Sequence, residues 1–138
     1  MPEAKVVLVA DDSDNDFLLL KRAFSKAGLN HQLVHVQDGR QAVSYLKGEV
    51  PFEQRDLWPF PHLLILDAIM PGVRGAEVLQ FLRNATEIRV PAVLLSGSIA
   101  PNDANEALEL GAAEYIIKPG GFSELVTMAQ TIHFRWLS

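Results

Sequence analysis

Residues 62–72 read HLLILDAIMPG, an apolar run that ends in the carboxylate of Asp67 and is followed by the pair Pro71-Gly72. A short, continuous apolar run that is bounded by turn residues is typical of a strand buried on both faces. The polar residue at its end then lies where the strand leaves the core. This stretch therefore predicts a buried strand with Asp67 at its carboxyl end and a turn at Pro71-Gly72.

Three other apolar stretches also end in polar residues. Val6–Ala10 is followed by Asp11-Asp12, residues 92–95 by Ser96, and residues 115–117 by Lys118-Pro119. The carboxyl ends of parallel strands meet at one edge of a sheet, where α/β folds bind their ligands. Three carboxylates, one ammonium and one hydroxyl at that edge predict a site for a divalent cation and a phosphoryl group.

Helical patterns alternate with these strands along the chain. The predicted strands are 5–10, 31–36, the one that ends at Asp67, 90–96 and 115–117, and the predicted helices begin at Ser13, Asp38, Gly75, Asn102 and Phe122. This alternation, without a hairpin signal, predicts an α/β fold with a doubly wound sheet of five parallel strands, in a single domain that spans residues 1–138. No second domain is indicated, so no output domain is expected.

The composition limits the classes of function. The 138 residues carry a net charge of −5 and no cluster of Lys and Arg, which argues against nucleic-acid binding. None is cysteine, which excludes disulfides and thiolate chemistry and suits a reducing cytosol. No apolar stretch is long enough for a signal peptide or a bilayer span. We expect a cytoplasmic protein that binds neither nucleic acid nor membrane.

The charges at the predicted edge do not balance. Asp11, Asp12 and Asp67 bring three negative charges and Lys118 one positive charge, which leaves two negative charges in one crevice. A Mg²⁺ ion would neutralise them, and oxygen ligands are what Mg²⁺ prefers. Asp11 and Asp12 could equally serve only as caps of the first helix, but capping does not explain Asp67. As a nucleophile, Asp67 could accept a phosphoryl group to form an acyl phosphate.

Separated motifs along nearly the whole chain together resemble the CheY-like receiver domain of two-component response regulators. They are Asp11-Asp12 after the first strand, LILDAIMPGVRG around Asp67, Leu95-Ser96, and Tyr115-Ile116-Ile117-Lys118-Pro119. The resemblance implies a flavodoxin-like fold and a response regulator that is not an enzyme beyond its own self-phosphorylation and autodephosphorylation. It also implies a histidine kinase as phosphoryl donor and a downstream protein target or phosphotransfer protein.

The resemblance further implies a role for each residue at the predicted edge. Asp67 is the implied phosphoacceptor, and Lys118 the implied contact to the phosphoryl group. The implied cofactor is Mg²⁺, with Asp12 as a direct ligand and Asp11 acting mainly through water. Asp67 and the backbone carbonyl of Ile69 complete the implied metal site.

Ser96 and Tyr115 resemble the switch pair of that family. In such a pair the hydroxyl moves toward the phosphate and the aromatic ring moves inward. Lys118-Pro119 resembles the family's cis peptide, and an X-Pro bond is the kind in which cis is accessible.

The connection 48–61 and the ending 134–137 resemble, more narrowly, stand-alone receivers that are paired with bacterial phytochrome-like histidine kinases. They contain Phe52, Trp58, Phe60 and Trp136-Leu137, which add aromatic and apolar surface. Such surface either mediates self-association, as a homodimer, or folds over the edge of the domain. The sequence favours neither outcome.

Two other classes of protein fit the residues less well. A Mg²⁺-dependent phosphatase with an aspartyl nucleophile needs a second Asp two residues after the nucleophile, where this chain has Ile69. A pseudo-receiver that only binds partners would typically lack Asp67, Lys118 or a member of the acidic pair, all of which are present. Ile69 and Ser98 depart from many receivers at positions near the attacking water, and therefore concern the rate of dephosphorylation.

Overall fold

Strands and helices alternate along the chain, of which the computed structural model describes residues 4–70 and 72–138. The strands are β1 (Val6–Ala10), β2 (Gln32–Val36), β3 (Leu63–Asp67), β4 (Ala92–Ser96) and β5 (Glu114–Ile117). The helices are α1 (Asp14–Lys26), α2 (Gly39–Lys47), α3 (Gly75–Asn84), α4 (Pro101–Glu109) and α5 (Phe122–Ile132), which continues into a π-helical segment (His133–Leu137). All strand pairs are parallel, in the order β2-β1-β3-β4-β5. The predicted doubly wound sheet of five parallel strands is confirmed.

Strand β3 occupies the centre of the sheet and is buried along its whole length. Leu64 and Leu66 belong to the apolar cluster beneath α2 and α3, while Leu63 and Ile65 belong to the cluster beneath α1 and α5. Because both faces are covered, alternation of apolar and polar residues is not expected, and the strand reads as a continuous apolar run.

The register of the strands brings their ends to one level. Ala10 of β1 lies opposite Leu66, and Asp67 lies opposite Leu95 of β4. Asp11, which directly follows β1, and Asp67, the last residue of β3, therefore emerge side by side. Ser96 at the end of β4 pairs with Ile117 at the end of β5.

Helix α1 begins at a serine rather than at the acidic pair. The Ser13 hydroxyl accepts a hydrogen bond from the Asp16 N–H at 3.1 Å, which makes Ser13 the N-cap. The Asp11 carboxylate instead accepts from the Ser13 N–H at 2.9 Å, in the turn before the helix. Asp11 and Asp12 are therefore not the caps of α1, and the alternative that reduced them to this role is wrong.

Some predicted details differ from the structure. Strand β4 begins at Ala92 rather than at position 90, because Pro91 has no N–H to donate to the neighbouring strand. The Lys118–Pro119 bond is trans, so the expected cis bond there was wrong; within the described residues the cis peptide is Val50–Pro51. The expected turn at Pro71-Gly72 includes Pro71, which lies outside the described residues.

The connection 48–61 packs against α2. Phe52 is buried, and its ring lies against those of Tyr45 and Trp58. The Arg55 guanidinium donates to the carbonyls of Leu46 and Trp58 and lies 5.6 Å from the centroid of the Tyr45 ring. A cation that binds carbonyls at the C-terminal end of a helix is favourable there, because those carbonyls carry the negative end of the helix dipole.

The C-terminal residues also fold onto the domain. Leu137 is buried in the cluster beneath α1 and α5, and the Trp136 indole N–H donates to Glu114 at 2.9 Å. Arg135 forms an ion pair with the same carboxylate. Among the aromatic residues that suggested a homodimer, Phe60 remains exposed, at 39%. Most of the surface on which that hypothesis depended is therefore covered by the domain itself.

Helix α3 begins so close to the end of β3 that position 75 has no room for a side chain. A Cβ atom on Gly75 would lie 2.8 Å from the Asp67 carbonyl oxygen and 2.8 Å from Leu94 Cδ1. Both distances are well inside the optimal separation of non-bonded heavy atoms. Gly75 therefore allows α3 to pack against the backbone of Asp67.

Replacing Gly75 with alanine should destabilise the protein, although alanine is the better helix-forming residue. We expect Gly75→Ala to lower the free energy of unfolding by about 1–3 kcal/mol, as overpacking does elsewhere. Gly120→Ala is the control, because a Cβ there meets nothing within 4 Å. Urea unfolding followed by circular dichroism measures both. Equal stability of Gly75→Ala, Gly120→Ala and the wild type would contradict the close approach.

Candidate functional site

Buried polar side chains meet at the carboxyl edge of the sheet. Asp11, Asp67 and Ser96 follow or end β1, β3 and β4, and are only 8%, 5% and 6% exposed. The exposed Asp12 joins them: Asp11, Asp12 and Asp67 each offer a carboxylate oxygen, and these atoms lie within 4.8 Å of one another. The structure therefore brings together the three carboxylates that the sequence predicts at this edge.

Lys118 closes the site from the loop after β5. Its Nζ lies 2.9 Å from Asp67 Oδ1, and its backbone N–H donates to the Ser96 carbonyl at 2.8 Å. Burial alone would lower the pKa of Lys118. The hydrogen bond and charge of Asp67, together with the charges of Asp11 and Asp16, outweigh burial and raise the pKa. The ammonium therefore stays charged and compensates part of the negative charge.

The surroundings of Asp11 disfavour the ionised form of its carboxyl group and raise its pKa. Burial, which disfavours the ionised carboxylate, raises the pKa of Asp11 to about 6. The Ser13 N–H lowers the pKa, the negative charges of Asp67 and Asp16 raise it further, and Lys118 lowers it. The charge of Lys118 thus does not offset the combined effect of burial and of the neighbouring carboxylates on Asp11. A divalent cation would compensate the negative charge that remains.

The structure also fixes the surroundings of Ile69. Its backbone N–H donates to Asp67 Oδ1 at 3.3 Å, so the backbone of residue 69 lies beside the Asp67 carboxylate. The Ile69 side chain is 78% exposed. A metal contact through the Ile69 carbonyl stays a prediction.

Ser96 and Tyr115 are linked through the backbone of Ser98. The Ser96 hydroxyl accepts from the Ser98 N–H at 3.1 Å, and the Tyr115 hydroxyl donates to the Ser98 carbonyl at 2.7 Å. The Ser98 hydroxyl in turn donates to Asp103 in the first turn of α4 and accepts from the Ala100 N–H at 3.2 Å. The β4–α4 connection therefore joins the two predicted switch residues to a helix. Reasoning from the sequence missed this role of Ser98, although an Asp five residues later signals a helix start.

His35 on β2 is a second contact that reasoning from the sequence missed. Its Nε2 lies 2.7 Å from the Asp11 carbonyl oxygen, and its ring stacks on Phe17 of α1 with 4.3 Å between ring centroids. A single polar residue in a strand carries no signal of such a partner, because the contact joins β2 to the loop after β1.

Comparison with known proteins agrees with this geometry. The sequence model of the response regulator receiver domain matches residues 7–130. The response regulator Rcp1 of Synechocystis sp. is 30% identical over 134 residues, which are 96% of this chain and 89% of Rcp1. The chain belongs to the response regulator receiver family, whose members are signalling proteins of two-component systems.

Three solved structures resemble this one over nearly their whole length. The phosphorylated cyanobacterial phytochrome response regulator RcpA has a TM-score of 0.88 and 30% identity, with 99% of this chain and 96% of RcpA covered. RPA3017, a response regulator in red light signaling of R. palustris, has a TM-score of 0.88 and 32% sequence identity, with 97% of this chain and 93% of RPA3017 covered. The Mn²⁺-bound form of Rcp1 has a TM-score of 0.84 and 30% sequence identity, with 97% of this chain and 95% of the Rcp1 chain covered.

The pKa of Asp11 predicts how cation binding depends on pH. As the pH falls through about 6, Asp11 takes up a proton, and a cation must displace that proton to bind. We expect the affinity for Mg²⁺ to be constant well above pH 6 and to fall up to about tenfold per pH unit below it. Isothermal titration calorimetry between pH 5 and pH 8 measures this.

In the matched control, Asp11→Asn, the affinity should be lower throughout and should lose its dependence on pH near 6. An affinity of the wild type that is the same at pH 5 and pH 8 would contradict a role of Asp11 in cation binding.

Proposed function

We propose that this chain is a phosphoryl-accepting response regulator in which Asp67 receives the phosphoryl group of a histidine kinase. The observation that carries the proposal is the position of Asp67, buried at the end of the central strand. It lies beside two other carboxylates and 2.9 Å from the Lys118 ammonium. In such a set of groups one carboxylate can bond to phosphorus, while the surrounding charges stabilise the phosphoryl oxygens.

The metal in this proposal is Mg²⁺, held by Asp12 directly, by Asp11 mainly through water, by Asp67 and by the Ile69 carbonyl. All of these donors are oxygens, which suits a hard divalent cation, and Mn²⁺ accepts the same donors. When bound, Mg²⁺ supplies the positive charge that neutralises the phosphoryl oxygens. It also brings the charge of Asp11, Asp12, Asp67 and Lys118 to zero.

In the transfer step, an oxygen of the Asp67 carboxylate forms a bond to phosphorus. The bond from phosphorus to the kinase histidine breaks, and the histidine nitrogen keeps the electron pair. Before the transfer the Lys118 ammonium donates to the Asp67 carboxylate and so holds it in place. The same ammonium then contacts an oxygen of the transferred phosphoryl group.

The signal leaves the site through Ser96 and Tyr115. In the proposal the Ser96 hydroxyl moves toward the phosphoryl group and donates to it, and this movement alters the hydrogen bond that the hydroxyl now accepts from the Ser98 N–H. Because Tyr115 also binds the backbone of Ser98, a movement there reaches Tyr115 and the start of α4. A protein target or a phosphotransfer protein would read the altered surface.

A phytochrome-like histidine kinase is the proposed donor, since RcpA and RPA3017 belong to phytochrome and red-light signalling. Cytoplasmic location is part of the proposal, because a kinase draws on cytoplasmic ATP. Among the described residues no helix is long and apolar enough to cross a membrane. A homodimer stays a prediction, and the buried Phe52 and Leu137 remove much of its original basis.

Phosphorylation is tested with acetyl phosphate and Mg²⁺, and then with an autophosphorylated phytochrome-type kinase as donor. We expect an acid-stable, base-labile adduct on the wild type and none on Asp67→Asn, in which the amide cannot form the acyl phosphate. Phos-tag gels measure the adduct. Lys118→Ala should still bind Mg²⁺ but fail to switch, since the ammonium acts on the phosphoryl group. An adduct of equal yield on Asp67→Asn would reject the proposal.

The phosphoryl group on Asp67 should be long-lived. Hydrolysis needs a water in line with phosphorus, and Ile69 has no hydrogen-bonding side chain to hold it. The Ser98 hydroxyl is already engaged with Asp103 and the Ala100 N–H. Each missing positioning contact can remove a factor on the order of 10².

The double variant Ile69→Asn with Ser98→Glu should therefore lose its phosphoryl group faster than the wild type, while it still becomes phosphorylated. Release of phosphate after removal of the donor measures both rates. Decay of the wild type within seconds, with no acceleration in the variant, would show that these two positions do not set the lifetime.

A further inference from the structure

His35 stands outside the acidic site but is bound to its backbone. Its Nε2 lies 2.7 Å from the Asp11 carbonyl oxygen. A carbonyl oxygen can only accept a hydrogen bond, so Nε2 carries the proton whatever the charge of the ring. The other ring nitrogen, Nδ1, is 3.8 Å from Asp14 Oδ1, which is too far for a hydrogen bond.

The imidazole ring is held in one orientation. It stacks on the Phe17 ring with 4.3 Å between centroids and 8° between planes, and the His35 side chain is only 15% exposed. Phe17 belongs to α1 and His35 to β2, so the ring is fixed between two elements that flank the end of β1. The Nε2 proton is therefore directed at the Asp11 carbonyl by packing and not only by the hydrogen bond.

The Asp11 backbone is held on both of its polar groups. Its N–H donates to the Val36 carbonyl at 3.0 Å, and its carbonyl accepts from His35. That carbonyl belongs to the peptide unit that joins Asp11 to Asp12, which is planar. A hydrogen bond to its oxygen restricts the rotation of this plane, and thereby restricts the directions in which the two adjacent side chains leave the backbone.

This constraint matters most for Asp12. Asp11 has further support, because its carboxylate accepts from the Ser13 N–H at 2.9 Å. The Asp12 side chain is exposed, so packing does not position it, and the backbone sets the direction of its Cα–Cβ bond and hence where the carboxylate can reach. Both carboxylates belong to the three that lie within 4.8 Å of one another.

We propose that His35 is a positioning residue for the divalent cation: by donating to the Asp11 carbonyl, it orients the Asp11–Asp12 peptide so that both carboxylates face the cation. The inference rests on the proposed function, because it concerns the same site. It adds a residue that touches neither the cation nor the phosphoryl group. Partners that orient metal ligands through hydrogen bonds typically change metal affinity about 10–100-fold when removed.

The test compares two variants, His35→Gln and His35→Met, whose new side chains are of similar length. Both lose the stacking on Phe17, but the glutamine amide nitrogen can replace the Nε2 donor, whereas methionine has no donor. Calorimetric titration of the unphosphorylated variants with Mg²⁺ gives the affinities, and Mn²⁺ serves as a second probe. We expect His35→Met to bind Mg²⁺ about tenfold more weakly than His35→Gln.

Two further readouts separate positioning from a general loss of structure. Melting temperatures measured without metal should be similar for the two variants. Saturating Mg²⁺ should restore the yield of phosphorylated His35→Met to that of His35→Gln. Equal affinity of the two variants would overturn the inference, as would a phosphorylation defect that saturating Mg²⁺ does not remove.

The wild type supplies a test that does not depend on the folding of a variant. In nuclear magnetic resonance spectra the His35 Nε2 proton should be protected from exchange with water. When Mg²⁺ is added, its signal should shift over the same range of Mg²⁺ concentration as the signal of the Asp12 backbone amide. A rapidly exchanging proton that does not respond to Mg²⁺ would overturn the inference. Absence of Mg²⁺ binding by the wild type would instead reject the proposed function, and the inference with it.

Discussion

Three carboxylates are crowded at one edge of a buried sheet, and the chemistry proposed for this protein follows from that crowding. The register of β1, β3 and β4 places Asp11 and Asp67 at the same level with little contact to solvent. Burial disfavours the ionised form of Asp11, and the neighbouring carboxylates add to this cost. Lys118 offsets one charge through its bond to Asp67, yet the pKa of Asp11 is still raised to about 6. Added positive charge would therefore stabilise this edge of the sheet. In the proposed function a bound cation supplies that charge, and the phosphoryl group binds at the same place.

The same edge is connected to the surface by short hydrogen-bonded paths. On one side Ser96 and Tyr115 both bind the backbone of Ser98, whose hydroxyl binds the first turn of α4. On the other side His35 ties the Asp11 carbonyl to β2 and, by stacking, to α1. The first path can carry a change of charge outward, because the Ser96 hydroxyl has an alternative partner in a phosphoryl group. We propose that the second path, through the hydrogen bond and the ring stacking of His35, keeps the acidic pair in place while the first path moves.

Much of the fold and of the site could be predicted from the sequence, because both depend on local patterns. A strand buried on both faces must be apolar until it ends, so Asp67 and Asp11 reveal the edge of the sheet without any knowledge of its neighbours. The details that escaped prediction depend on contacts between distant segments. Arg55 binds the Leu46 carbonyl of α2 and the Trp58 carbonyl of the connection 48–61, which helps to explain why the aromatic residues of this connection pack down rather than remain as surface for a partner. The contact of His35 with the Asp11 carbonyl joins strand β2 to the loop after β1, and no spacing in the sequence encodes it.

We propose that, of three neighbouring carboxylates, Asp67 forms the acyl phosphate while Asp11 and Asp12 serve the cation. Reduction of the phosphorylated protein with borohydride, followed by peptide mass spectrometry, distinguishes these roles, because borohydride converts only a phosphorylated aspartate to homoserine. We expect homoserine at position 67 and intact aspartate at positions 11 and 12. Homoserine at position 11 or 12, with an unmodified Asp67, would contradict it.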